Sequence, residues 1–177
     1  SIIYRIQSLY LNNIYFIVVG QYKKNMNKFI ESNIELQTKA IVLGDANTGK
    51  SSFIRSLHPI ETTDTYKKFS TIHISSHEIE QSDSDLELKI WEYNTRNELL
   101  SIEQQQIIYA GALFCFIIFD ITKRESASNA FNKWMNIKNK YLPNSYLFIL
   151  GTNFDNAIFR QVQISEVTKL CAQRDCV

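Results

Sequence analysis

Eight consecutive residues, Gly44, Asp45, Ala46, Asn47, Thr48, Gly49, Lys50 and Ser51, satisfy the pattern G-x-x-x-x-G-K-[ST]. This spacing serves the holding of a polyphosphate. Glycines let backbone N–H groups converge on phosphate oxygens, the lysine ammonium neutralises the outer phosphates, and the hydroxyl after it reaches a divalent cation. Ser52 follows directly and extends the candidate phosphate-binding set. Other chemistries find less support. His58, His73 and His77 have no mutual metal-ligand spacing. Cys115, Cys171 and Cys176 are odd in number and form no C-x-x-C pair, which argues against a zinc site or a disulfide framework and for a reducing, cytosolic setting.

The phosphate loop works only between a strand and a helix, and its flanks read that way. Residues 39–44 are a short apolar run ending in glycine, a buried strand feeding a turn, and residues 50–57 have helical spacing until His58 and Pro59 stop them. A polar loop over 60–68 precedes two alternating stretches, 71–80 and 86–91, which flank Gln81, Ser82, Asp83, Ser84 and Asp85 and predict an antiparallel hairpin. Residues 97–109 suit a helix. The continuously apolar run 112–119 suits a central parallel strand, and 126–141, with Phe131 and Trp134, an amphipathic helix. A further buried strand over 146–150 ends at Gly151, and a last helix over 165–174 starts with Ser165 as its cap. Strands alternating with helices predict an α/β domain: a mostly parallel sheet with one antiparallel hairpin, helices on both faces, and ligands at the carboxyl ends of the strands.

Composition agrees with one such domain. The chain has 177 residues, 45% apolar and 21% charged, which excludes disordered and fibrous classes, and its net charge of +1 offers no broad basic field for nucleic acid. The first twenty residues are rich in Ile, Leu and Val, but Gln7, Ser8, Asn12 and Asn13 dilute them, so they read as an amphipathic or packed segment rather than a membrane span or signal peptide. Ser1 opens the chain and Met26 lies shortly before the first strand, so residues 1–37 read as an N-terminal extension.

From Gly44 to Ser52 the sequence resembles the first motif of the Ras superfamily of small GTPases, the Rab branch in particular, and the resemblance runs from about Lys39 to Val177. It implies the P-loop NTPase fold, with GTP or GDP and Mg²⁺ as cofactors. Ser51 and Thr71 stand where the family holds Mg²⁺, and Glu92 where an Asp holds it through water. Thr152, Asn153 and Asp155 fall on the guanine-reading N-K-x-D or T-K-x-D motif. A carboxylate at Asp155 accepts two N–H bonds from guanine and finds no such pair on adenine. Tyr66 is the aromatic candidate for stacking on the base. The resemblance further implies effector and regulatory proteins docking on the segments around Thr71 and residues 92–99, association with membrane surfaces from the cytoplasm, and a role in vesicle trafficking.

Four departures from the family qualify that reading. Glu92 is longer than the usual Asp. Thr95 replaces the glycine whose N–H meets the γ-phosphate, and a β-branched residue resists the backbone angles glycine allows. Arg96 replaces the water-orienting Gln and has donors only, so slow or absent intrinsic hydrolysis is expected and no catalytic side chain is assigned. Asn153 replaces a Lys whose stem packs along the nucleotide. The domain reading is therefore a Rab-like G domain over 38–177, incomplete at its C-terminal end, where one more strand and helix would follow; Cys176 is no C-a-a-X acceptor. The alternative is a pseudo-GTPase serving as a structural or interaction subunit. An adenine-specific P-loop kinase or ATPase leaves Asp155 unexplained.

Overall fold

Ala40, Ile41, Val42 and Leu43 are all fully buried, the signature of a strand covered on both faces. They form the end of β3 (Leu36–Leu43), which lies inside an eight-stranded sheet. The computed structural model describes residues 3–11, 14–22, 36–56, 67–68, 72–81, 84–93 and 101–173. Parallel neighbours flank β3: β6 (Ser84–Tyr93) on one side and β7 (Ala112–Asp120) on the other, with β8 (Tyr146–Thr152) parallel beside β7. Beyond β6 run β5 (Ile72–Gln81) and the short β4 (Lys67–Lys68), both antiparallel. The hairpin pairs Gln81 with Ser84, so both strands extend into the residue 81–85 cluster expected between them.

The opposite edge differs from expectation. β1 (Ile3–Leu11) and β2 (Ile14–Tyr22) form a second antiparallel hairpin, and β2 hydrogen-bonds to β8 from Ile17 opposite Gly151 to Gly20 opposite Phe148. The sheet order is β1-β2-β8-β7-β3-β6-β5-β4, antiparallel at both edges rather than at one. The physical reason is that an edge strand offers unpaired N–H and C=O groups, and an apolar stretch with free backbone satisfies them. Among the described residues no helix is long and apolar enough to cross a membrane.

Side chains alternate between two cores. Ala40, Val42, Ile90, Ile118 and Leu150 face α1 (Lys50–Ser56), which contributes Phe53 and Ile54. Ile41, Leu43, Cys115, Ile117, Phe119 and Ile149 face the other side, where α2 (Ile102–Tyr109), α3 (Arg124–Asn129), α4 (Met135–Tyr141), α5 (Ile164–Gln173) and the Ala130–Trp134 segment joining α3 to α4 bury Ile108, Ala127, Phe131, Trp134, Met135, Val167 and Cys171. Helices thus cover both faces, as the sequence pattern predicts.

Helix ends follow capping chemistry. α2 starts at Ile102 rather than 97, because Ser101 is extended (φ −61°, ψ 160°) and makes a capping box with Gln104. α5 starts one residue earlier than expected, so Ser165 lies inside the first turn. The N–H of Gln163 instead donates to the Glu166 carboxylate at 3.0 Å. Between α3 and α4 the helix does not run regularly: Ala130–Trp134 forms a π turn.

Candidate functional site

β3 delivers the chain to Gly44, and the local geometry explains why that residue is glycine. Its φ is +146°, and a Cβ there would lie 2.3 Å from the Ile118 carbonyl oxygen on β7. Gly49, at φ +88°, closes the loop with its Cα facing the Thr152 side chain. Asn47 also adopts positive φ (58°), the left-handed region that Asn tolerates better than most residues. Ala46 and Asn47 are exposed at the tip, and Thr48 is buried.

The loop is wrapped around its lysine. Lys50 is only 6% exposed, and its Nζ donates to the carbonyls of Gly44 (3.1 Å) and Asp45 (2.7 Å). Thr48 Oγ1 donates to the same Asp45 carbonyl at 2.9 Å. The ammonium therefore already lies within the loop rather than extended into solvent.

Ser51 and Glu92 come from different elements and meet. The parallel register sets Val42 opposite Glu92, so the carboxylate at the end of β6 stands beside the start of α1, and Ser51 Oγ donates to its Oε1 (2.9 Å) and Oε2 (3.1 Å). Glu92 is buried. A hydroxyl and a carboxylate at one point are the oxygen donors that Mg²⁺ prefers, with phosphate oxygens completing its shell. The residues fit that ion: Ser51 and Glu92 would hold it, and it would neutralise phosphate charge. Thr71, the third expected metal ligand, lies outside the described residues, as do Tyr66, Thr95 and Arg96.

The predicted base-reading segment is tied to the loop by Thr152. This buried residue ends β8, and its Oγ1 contacts the Thr48 carbonyl (2.7 Å) and the Phe119 carbonyl (3.1 Å). The chain then turns through Asn153 at φ +60° into a 3-10 helix, Phe154–Phe159, in which Asp155 is exposed. Gly44 to Ser52 and Thr152 to Asp155 thus lie at the carboxyl ends of β3 and β8, parallel strands with β7 between them, the end of the sheet where ligands bind in open α/β folds. Ser52 is half-buried in the first turn of α1.

Sequence reasoning missed a cluster around Asp120. This buried carboxylate ends β7 opposite Thr152. Burial pushes its pKa up. Hydrogen bonds from the Thr122 hydroxyl (2.6 Å) and N–H (2.9 Å), from the Asn153 side chain and from Lys123 outweigh that and hold the carboxyl below its ordinary range. Lys123 Nζ is 3.1 Å from Asp120 and also donates to the Asn47 carbonyl at 3.2 Å, bringing an ammonium to the outside of the Gly44–Ser51 loop. Asn129 at the end of α3 and Trp134 in the π turn both reach Asp45; Asn129 carried no signal in the sequence, and Trp134 was read as part of an amphipathic helix. The described residues contain no group of three or more His, Cys, Asp or Glu able to hold a metal.

A sequence model of the Ras family matches residues 39–177. A probable Rab-related GTPase of Acanthamoeba polyphaga mimivirus is 26% identical over 156 residues, covering 85% of this chain and 71% of the relative. The GTP-binding protein yptV5 of Volvox carteri is 25% identical over 148 residues, 78% of this chain and 69% of the relative. The Ras-related protein Rab-2B of Dictyostelium discoideum is 26% identical over 145 residues, 81% and 70% respectively.

Proposed function

We propose that this chain, which belongs to the Ras family, is a Rab-like switch that binds GTP and GDP with Mg²⁺ and hydrolyses GTP weakly or not at all. The observation that carries the reading is the bond between Thr152 Oγ1 and the Thr48 carbonyl, 2.7 Å. It joins a phosphate loop to a segment bearing the carboxylate suited to guanine.

The roles follow residue by residue. Backbone N–H groups from Asp45 to Ser52 and the Lys50 ammonium take the β and γ phosphates. Asp155 reads the N–H edge of guanine, and Thr152 and Asn153 set its distance from the loop. Ser51 and Glu92, with Thr71 as a third oxygen, would hold Mg²⁺, which would supply neutralisation of phosphate charge. Arg96 cannot accept a hydrogen bond from water, so it does not orient the attacking nucleophile. The segments around Thr71 and residues 92–99 present the nucleotide state to effector and regulatory proteins, at cytoplasmic membrane surfaces.

Asn153, Thr95 and Arg96 favour a second reading, a pseudo-GTPase acting as a structural or interaction subunit. One experiment separates the two. The purified chain is denatured and the released nucleotide is identified by chromatography, with Lys50→Ala alongside. Stoichiometric GDP or GTP, lost in the variant, is the expected result. An empty chain that folds alike with or without Lys50 refutes the switch and leaves the scaffold, and bound ATP or ADP refutes guanine selection.

A further inference from the structure

Asp45 presents an electrostatic problem. It is an acidic residue inside a loop whose pattern serves a polyphosphate, and like charges close together in a poorly solvated site oppose each other. The structure shows where that charge is directed. Asp45 Oδ2 accepts from Asn129 Nδ2 at 2.7 Å, and Oδ1 accepts from Trp134 Nε1 at 2.9 Å. Both carboxylate oxygens are thus engaged by neutral donors of the helical segment behind the loop. The backbone carbonyl of the same residue accepts from Lys50 Nζ and Thr48 Oγ1.

The π turn makes this two-donor grip geometrically available. Asn129 and Trp134 are five residues apart. On a regular α-helix five residues rotate through about 500°, leaving the two side chains roughly 140° apart and unable to reach one carboxylate. The wider Ala130–Trp134 turn, with its i→i+5 bonding, brings positions five apart onto nearly one face. Trp134 is 1% exposed, so its indole N–H has no solvent to turn to. A buried indole N–H needs an acceptor, and this one has the loop carboxylate.

We propose that Asn129 and Trp134 are positioning residues of the phosphate loop, acting through Asp45. They hold its carboxylate back against the π turn, away from the phosphates, and leave its carbonyl to orient Lys50. The inference rests on the reading that the loop binds nucleotide phosphates, and it adds the π turn to the binding machinery. A tertiary tether with no bearing on the ligand is the competing explanation.

A double-mutant cycle on the full-length chain separates them. Asn129→Ala and Trp134→Phe are each made with Asp45 present and in an Asp45→Ala background. Affinities for fluorescent GDP and ADP analogues are measured beside urea-unfolding midpoints. With Asp45 present, either variant is expected to weaken GDP binding on the order of tenfold, the loss of one hydrogen bond to a charged group. In the Asp45→Ala background the same change should cost less than about twofold, because no carboxylate remains to be misdirected. Added salt should narrow the difference by screening. Equal losses in both backgrounds, or unfolding midpoints that couple while GDP affinity does not, overturn the proposal and leave the tether. If Trp134→Phe fails to fold, the Asn129→Ala arm decides. Binding of both analogues alike refutes guanine selection but leaves the cycle readable on either ligand, and binding of neither overturns both readings.

Discussion

Gly44→Ala is the substitution whose cost the structure defines best, because two penalties coincide there and neighbouring glycines isolate each. At φ +146° an L-residue occupies a backbone region that is essentially glycine-only, which costs on the order of 1–3 kcal/mol. The added Cβ would also sit 2.3 Å from the Ile118 carbonyl oxygen. Ordinary contact requires roughly 1 Å more, and the obstacle is strand backbone in the middle of the sheet. Forced overpacking of that kind adds about 1–3 kcal/mol. The sum is roughly 2–6 kcal/mol, a large part of the ~5–15 kcal/mol that holds a domain of this size together.

Two other glycines dissect that sum. Gly111 has φ +72° and nothing within 4 Å of its would-be Cβ, so Gly111→Ala isolates the backbone term at about 1 kcal/mol. Gly151 has no positive φ but meets the tips of Ile121 (3.0 Å) and Phe119 (3.2 Å), so Gly151→Ala isolates side-chain crowding at about 1 kcal/mol or less. Urea unfolding followed by circular dichroism, with a common m-value, ranks the three. The reasoning fails if Gly44→Ala loses no more than Gly111→Ala, since the close approach of β7 would then carry no energetic weight.

Other outcomes are equally specific. Thr152→Val keeps the shape but removes the O–H between Thr48 and Phe119, so it should lower stability by about 1–2 kcal/mol and speed GDP dissociation several-fold; unchanged dissociation would uncouple the two loops. Glu92→Asp is one methylene shorter and should break the direct bond from Ser51, so the ratio of GDP release rates with and without chelator should rise as Mg²⁺ gains room, measured by stopped flow. Asp120 has a lowered folded-state pKa, so its contribution to stability is complete above the ordinary carboxylate range and disappears as pH falls through the lowered value; Asp120→Asn should flatten that acid limb in pH-dependent unfolding. Burial pushes the Cys115 thiol up to about 12, so it should resist iodoacetamide at pH 8 in the folded chain and react in urea, as peptide mass mapping would show.

How much was legible beforehand depended on the range of the interaction. The turn from Gly44 to Ser51 was readable because its pattern lies in contiguous residues: Gly44 and Gly49 each answer a local demand of backbone angle. The runs at 39–44, 112–119 and 146–150 were readable as strands because burial on both faces keeps their central positions continuously apolar. Helix starts were less so. Ser101 caps α2 and Ser165 does not cap α5, although both are serines near an apolar-periodic segment, because the cap depends on where the preceding chain arrives.

The sequence by itself determined the Ras-family motif order, the residue types of the phosphate loop and the alternation of strands and helices. Only the tertiary structure decided which distant side chains meet. Ser51 reaches Glu92 across 41 residues, Asp45 reaches Trp134 across 89, and Thr48 meets Thr152 across 104. It also decided that β2 pairs with β8 and that a π turn interrupts the helix after Asn129. Local pattern reports periodicity and propensity, which are properties of neighbouring residues. Pairing of a strand edge is made by backbone groups common to nearly every residue, and the reach of a hydroxyl or indole to a carboxylate depends on register, so neither is written in any short stretch of sequence.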